Sequence, residues 1–477
     1  MGEFGPDLYF FRHTKYDFRI GWRKRSGRAP RGRRGAVCVE EILVHGGRPL
    51  FGELEMPTAK NSILPILAAA VLTRGAVCIR RAPLLQDVET SMQLLAALGC
   101  PAVRAGQDLL LSCGGPVGDT VPRPLMAAMR SSIYYLAPML ARAGRAQLSF
   151  PGGCRLGARP IDIHLEGLRA MGAHVITEGD QLECEAPDGL QGARFHLRFP
   201  SVGATETLMM AAAAARGETV LTGVAREPEI RDLADFLNAC GGKVRGAGTG
   251  RIIIRGGPLH GCEYTPIPDR ITAQTVLCAG AICGGELLLR RTPFEPVRPL
   301  ADFLAQAGCK VRRLDHDRVS LVSDGRLSAL GELSTGVYPS FATDAGPLLA
   351  AAMLTADGTT RLRETIFTNR FACSTQFSKM GADLRCQGSV LEIRGVLALR
   401  GARMEASDLR GGAALVIAAL AAEGESRIGG MEYIRRGYED IGGMFGALGA
   451  VIGCRTQPER EHSTVRYGAI CDRMIQE

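Results

Sequence analysis

The chain has 477 residues, 46% of them hydrophobic and 22% charged, the proportions of an ordinary folded protein, which excludes disorder over most of its length. Its longest uncharged apolar runs, at 207–215 and 345–356, fall short of the ~18 residues that cross a bilayer, which excludes a membrane-spanning helix. Of the net charge of +8, +7 lies in residues 1–36, so the rest of the chain lacks the cationic excess that a phosphate backbone demands and nucleic acid is not an expected partner.

In chain order, the first segment is basic, with RKRSGRAPRGRRG at 23–35 and no apolar stretch after it. It reads as a disordered extension over 1–37, or as the product of an upstream start codon, and not as a signal peptide. Next come Ala59, Lys60 and Asn61 at the entrance of the apolar helix ILPILAAAV. A lysine and an asparagine there can hold an anion together with free backbone N–H groups; the alternative is a solvated lysine and an N-capping asparagine. Arg130, in MRSSIYYLAP, is expected at the start of another apolar helix, where it either snorkels or binds an anion.

The segment PGGCRLGARPIDIH, 151–164, places Cys154 in a Gly-rich polar loop with Arg155 and Arg159 nearby. A partly exposed thiol between cations is a competent acid or nucleophile, and a buried one is an inert small hydrophobe. In the second half, Asp344 precedes an Ala-rich helix and is either its N-cap or a general base. Asn369-Arg370, Asp408-Leu409-Arg410 and Arg436-Gly437-Tyr438 add further arginines, for which surface ion pairing is the ordinary reading.

These elements repeat. Helices ending in Gly99, Gly172, Gly241, Gly308, Gly381 and Gly449 are spaced by 73, 69, 67, 73 and 68 residues, which marks six units of about 70 residues. Each glycine is expected just past a helix end, in the left-handed conformation that costs glycine least, with a short strand such as HVIT or KVRR after it. Five units also carry an Ala-rich helix, a Gly turn and a β run; the sixth has a longer version from Pro124 to Pro160. Helices apolar on nearly every side must be surrounded by strands. Two groups of three units are therefore expected, with loops carrying Arg130, Arg159, Arg226, Arg298, Arg370 and Arg436 meeting between them around a ligand with phosphate and carboxylate groups.

Fifteen cysteines with no CxxC pair and eight histidines with no HExxH exclude a disulfide framework and a metal site. A reducing cytoplasm is the expected compartment, and neither metal nor cofactor is expected.

Taken together, GELEMPTAKNSILPILAA, LLQDVETS, MRSSIYYLAPMLAR, FPGGCRLGARPIDIHLEGL, SVGATETLMMAAA, AREPEIRDLADFL, PDRITAQT, FATDAGPLLAA, FTNRF, ASDLRGGAALVIAAL and RRGYEDI resemble the UDP-N-acetylglucosamine 1-carboxyvinyltransferase family. The likeness runs from about Glu41 to about Cys454. It implies an α/β fold, the two-domain inside-out α/β barrel of the enolpyruvyl transferases. One domain would comprise 60–267 and the other 38–59 with 268–455, leaving 456–477 as a tail. It implies transfer of the enolpyruvyl group of phosphoenolpyruvate to the 3-hydroxyl of UDP-N-acetylglucosamine at the start of peptidoglycan synthesis, with consequences for cell wall, shape and division.

The same resemblance assigns residues. Cys154 would be the acid that protonates the methylene carbon of phosphoenolpyruvate, and a site of adduct formation with that substrate and with fosfomycin. Asp344 would take the proton of the sugar hydroxyl. Lys60, Arg159 and Arg436 would hold the phosphate and carboxylate of phosphoenolpyruvate. Asn61, Arg130, Arg159, Pro160, Ile161, Asp162, Ile163, His164, Phe199, Pro200, Ser201, Val202, Gly203 and Ile366 would contact the UDP-sugar. Asp269, Arg370, Asp408 and Arg410 complete the substrate site, the last two supporting its closed form. FATD stands where the family more often has FPTD, and Tyr433 and Arg435 flank Arg436 where a His or Asp is common. A binding paralogue without turnover and a transferase with another acceptor are the alternatives; retention of Lys60, Cys154 and Asp344 argues against the first.

Overall fold

The structure, a computed structural model, describes residues 38–152 and 160–458. The basic extension 1–37, Cys154, Arg155 and Arg159 lie outside the described residues.

Helices are enclosed by sheets, as apolarity on every side demands. In Lys60–Ala70 every residue except Asn61 is buried, and in Leu409–Ala421 every residue except the two ends. Small alanines let such helices approach closely: Arg270–Cys283, Gly346–Ala352 and Leu409–Ala421 pack on one another, and Leu136–Ala143 packs on Val202–Ala214. The second unit departs from the pattern. Met129 is extended, so the run breaks into a helix at Arg123–Ala128, a tight 3₁₀ turn at Arg130–Tyr135 and a helix at Leu136–Ala143. Arg130 thus opens a 3₁₀ turn and not an α-helix.

Among the described residues, six small sheets stand around these helices, five with four strands and one with three. Arg251–Arg255 is representative: Ile252 and Ile254 are buried while the flanking arginines are exposed, the alternation of a sheet wet on one face. Its sheet joins Lys243–Arg245, Arg251–Arg255 and Glu218–Thr222 as antiparallel neighbours, with Arg194–His196 added in parallel at the edge.

All six repeat glycines have positive φ, from +79° at Gly99 to +111° at Gly308. At the first, Gly99 N–H donates to Ala96 O and Cys100 N–H to Leu95 O, a Schellman cap that satisfies two orphan carbonyls. The same two-bond pattern recurs at Gly172, Gly241, Gly308, Gly381 and Gly449. This cap is the physical basis of the period.

Two apolar cores result. One, a first lobe, draws its buried residues from Ile63 to Leu259; the other, a second lobe, from Ile42 to Met56 and from Ile271 to Leu448. The described residues therefore begin in the second lobe, cross to the first and return. The two crossing segments are paired: Ala59 N–H donates to Ile267 O at 2.8 Å and Asp269 N–H to Pro57 O at 2.8 Å, on either side of a Thr58–Pro268 bridge. Strand Cys38–His45 lies between Glu425–Gly429 and Val451–Pro458, so the second lobe is closed by the two ends of the folded body. That last strand runs past residue 455, where the sequence reading ends the second domain.

Candidate active site

Lys60 and Arg436 come from different lobes and meet on Asp87. Lys60 Nζ lies 2.8 Å from Asp87 Oδ2, while Arg436 donates through Nε and Nη2 to the two carboxylate oxygens at 3.0 and 3.2 Å. Neither ordinary reading of the Lys60 segment holds: the lysine is 7% exposed, and Asn61 is the second residue of a helix whose N-cap is Ala59. Burial pushes the Lys60 ammonium down and Arg436 and Arg410 push the same way, against Asp87. Burial alone would raise Asp87, and the two cations override it, holding its carboxyl below the usual range.

Asp344 is the second centre. It is not an N-cap, because Ala345 occupies that position of the following helix without a side-chain bond. Its Oδ1 instead accepts from Arg370 Nη2 and from Arg410 Nε, the latter at 3.3 Å. Arg370 is locked by a second bond, from Nε to Thr343 O at 2.9 Å. Burial would raise the Asp344 carboxyl, but Arg370, Arg410 and Arg270 outweigh it and hold it well below the usual range. Asp408 caps Leu409–Ala421 by accepting from the backbone of Arg410 and Gly411, which fixes where Arg410 starts its reach. Asp269 caps Arg270–Cys283 in the same manner. Glu364 accepts from the N–H groups of Ile366 and Phe367 and from Thr343 Oγ1, tying the Ile366 turn to the Asp344 turn.

The two centres are one network. Arg410 acts on both Lys60 and Asp344, and Arg270 extends the array to Glu229 of the first lobe at 3.0 Å. Both members of that pair are nine-tenths buried.

A further group sits in the first lobe. His164 is buried, faces Arg130 and lies against Gly203, where a Cβ would come 3.1 Å from its Nε2. Burial, aided by Arg130, pushes this imidazole down to about 4, so it is neutral at pH 7. Arg130 Nη1 donates to Pro151 O at 3.3 Å, at the threshold of the Cys154 loop. Ser201 caps Val202–Ala214, Phe199 is 43% exposed, and Arg198 pairs with both Asp162 and Glu166. Ile161 and Ile163 are buried and Pro160 is exposed.

Lys60, Asp344, Arg370, Arg410 and Arg436 are thus brought together with Asp269 and Asp408 behind them. Arg226 and Arg298 are not: both are exposed, and Arg298 pairs with Glu295 and Asp302 on its own helix. Asp87, Arg270 and Glu229 are participants that the sequence reading did not single out. Among the described residues, Asp315, His316 and Asp317 offer atoms within 4.8 Å of one another, suited in type to a cation, but Arg318 already pairs with Asp315. No described helix is long and apolar enough to cross a membrane.

Residues 44–444 match the family model described as EPSP synthase (3-phosphoshikimate 1-carboxyvinyltransferase). A protein of Caldanaerobacter subterraneus subsp. tengcongensis, UDP-N-acetylglucosamine 1-carboxyvinyltransferase 2, is 42% identical over 413 residues, 86% of this chain and 99% of its own. UDP-N-acetylglucosamine 1-carboxyvinyltransferase 1 of Symbiobacterium thermophilum is 43% identical over 429 residues, 88% and 97% of the two chains. Among solved structures, the enolpyruvyl transferase NikO from Streptomyces tendae shares the fold, with a TM-score of 0.78 at 24% identity over 88% of this chain and 100% of that one. The chain belongs to the EPSP synthase family of enolpyruvyl transferases, in the branch of the UDP-N-acetylglucosamine 1-carboxyvinyltransferases.

Proposed function

We propose that this chain transfers the enolpyruvyl group of phosphoenolpyruvate to the 3-hydroxyl of UDP-N-acetylglucosamine and releases phosphate, the entry step of peptidoglycan synthesis. The observation that carries the reading is the Asp344 carboxylate, held ionised by Arg370 and Arg410 within one charge network that also contains Lys60 and Arg436. A proton acceptor beside cations from both lobes suits a hydroxyl nucleophile and a doubly anionic co-substrate.

In this reading the sugar 3-oxygen bonds to C2 of phosphoenolpyruvate, Asp344 takes the hydroxyl proton, and Cys154 delivers a proton to C3. The resulting tetrahedral intermediate loses a C3 proton and phosphate, which restores the double bond. Lys60, Arg159 and Arg436 hold the phosphate and carboxylate. In the free chain Asp344 is a weak base, because three arginines depress it. Anionic substrates arriving beside those arginines offset the cations and raise its basicity at the moment of use. Arg130, His164 and the Phe199–Gly203 turn serve the nucleotide sugar. The domains are taken as 60–267 and 38–59 with 268–455, closing over the substrates. Fosfomycin would alkylate Cys154, and the cytoplasm, where both substrates are made, is the working compartment.

Inorganic phosphate release from phosphoenolpyruvate, with and without UDP-N-acetylglucosamine, tests the proposal on the native chain and on Cys154→Ala. Release that requires the nucleotide sugar and collapses in the variant is expected. Folded native chain that releases no phosphate overturns it.

A further inference from the structure

Twelve described cysteines are free thiols, and among them two pairs interact through their sulfurs, Cys100 with Cys113 and Cys240 with Cys262. The second pair differs in its exposure. Cys240 Sγ and Cys262 Sγ are 3.3 Å apart, in contact across 22 residues of sequence. Cys240 caps the end of helix Pro228–Ala239 and is fully buried, whereas Cys262 is partly exposed just before strand Glu263–Tyr264. Their backbones are already held: His260 N–H donates to Cys240 O at 2.9 Å, and Cys78 N–H to Cys262 O at 2.8 Å. The two sulfurs need to close by about 1.3 Å to reach the ~2.05 Å of a disulfide.

From this contact we infer that Cys240 and Cys262 are an oxidation site at which peroxide forms a reversible intramolecular disulfide. The exposed member reacts first. Cys262 gives up its proton, its thiolate attacks one peroxide oxygen, the O–O bond breaks, and the departing hydroxide takes that proton, so that a sulfenic acid and one water result. Cys240 sulfur then attacks the Cys262 sulfur, the S–O bond breaks, and the hydroxyl leaves as a second water with the Cys240 proton. Two thiols and one peroxide thus become one disulfide and two waters.

The location gives the bond a mechanical meaning. The same helix is tied to the same outgoing segment at Asp232, whose carboxylate accepts from Tyr264 OH at 2.5 Å and from Ile267 N–H at 3.1 Å, and also from Ser62 Oγ. Residues 264–269 lead into the return crossing to the second lobe. A link at Cys240–Cys262 adds a second tie and makes helix and outgoing strand one unit. None of the charged residues Lys60, Asp87, Asp344 or Arg436 is part of it, so the bond stiffens the first lobe and leaves the cleft composition untouched.

The test is peptide mapping of the full native chain after brief hydrogen peroxide treatment and alkylation. Lys243, Arg245, Arg251 and Arg255 lie between the two cysteines, so trypsin separates them unless they are linked. The expected product is a Cys240–Cys262 linked peptide pair that has lost two hydrogens and is restored by dithiothreitol. With it, the melting temperature rises by several degrees and falls back on reduction. The rise is absent in Cys262→Ser and kept in Cys78→Ser. Cys240 and Cys262 recovered as separate alkylated or over-oxidised peptides, or Cys262 linked to Cys78, overturns the inference. Because the mapping is done on native chain, it holds even where a variant folds poorly.

Discussion

Asp87 and Arg436 are 349 positions apart in sequence, yet the guanidinium of one spans both carboxylate oxygens of the other across the two lobes, with Lys60 on the same carboxylate. The shared carboxylate offsets the repulsion between the two cations and keeps them close.

Asp87→Asn removes that compensation and keeps the shape. Breaking one side of a buried pair costs about 3–5 kcal/mol, through the charge left without a partner. We expect a loss of at least about 100-fold in kcat/KM for phosphoenolpyruvate, from the ~1.4 kcal/mol that corresponds to each tenfold change. Steady-state phosphate release with parallel melting curves checks this. A fall in melting temperature with unchanged kcat/KM would mean that Asp87 is only a structural tie.

Asp344 carries a pH signature. Its folded-state carboxyl is depressed by Arg370, Arg410 and Arg270 acting against burial, so the stability it contributes is present above the unfolded value of ~3.9 and is lost as pH falls toward the folded value. Arg370→Ala weakens that depression. The gap in melting temperature between native chain and variant should be large at pH 7 and shrink below about pH 4. A gap that stays constant from pH 7 to pH 3 would show that Arg370 acts by packing.

His164 behaves oppositely to a surface histidine. Burial and Arg130 hold it at about 4, so folding favours the neutral ring. Stability from this group is full above its unfolded value of ~6.5 and declines as pH drops, by about 3 kcal/mol at pH 4. Proton NMR of the ring checks the assignment directly; a His164 midpoint above pH 6 contradicts it.

Gly152 precedes the Cys154 loop, and a Cβ there would lie 2.1 Å from the backbone oxygen of Ala127. Backbone cannot yield as a side chain does. Gly152→Ala should therefore displace the loop entrance and cut phosphate release more than tenfold, with a change in melting temperature of only a few degrees. Full activity in the variant would show that the loop tolerates a shifted start.

Much of this architecture was readable before any coordinates. The six glycines declare their helix ends because only a left-handed position makes glycine worth keeping there, and the Ala-rich runs declare burial because they offer water no polar face. Lys60, Asp344, Arg370, Arg410 and Arg436 were legible as charges placed at the entrances of such runs. Asp87 was not, since an acid in the first turn of an amphipathic helix already has a local electrostatic reason to be there. Arg298 misled for a related reason: the repeat specifies which loop bears an arginine but not which rim of the lobe that loop meets, and Arg298 found partners on its own helix. The Glu229–Arg270 pair joins the lobes beside the return crossing, and no short-range pattern announces such a crossing.

The placement of strand Cys38–His45 between Glu425–Gly429 and Val451–Pro458 sets an order of assembly during synthesis. The first lobe has all its strands once Tyr264 has been made. Among the described residues, the second lobe owns the earliest strands and waits for the latest ones, with open backbone edges in the interval that can pair wrongly. Birth order and completion order are therefore reversed: the lobe begun first is finished last, and a ribosome halted before residue 451 leaves one complete lobe tethered to an incomplete one.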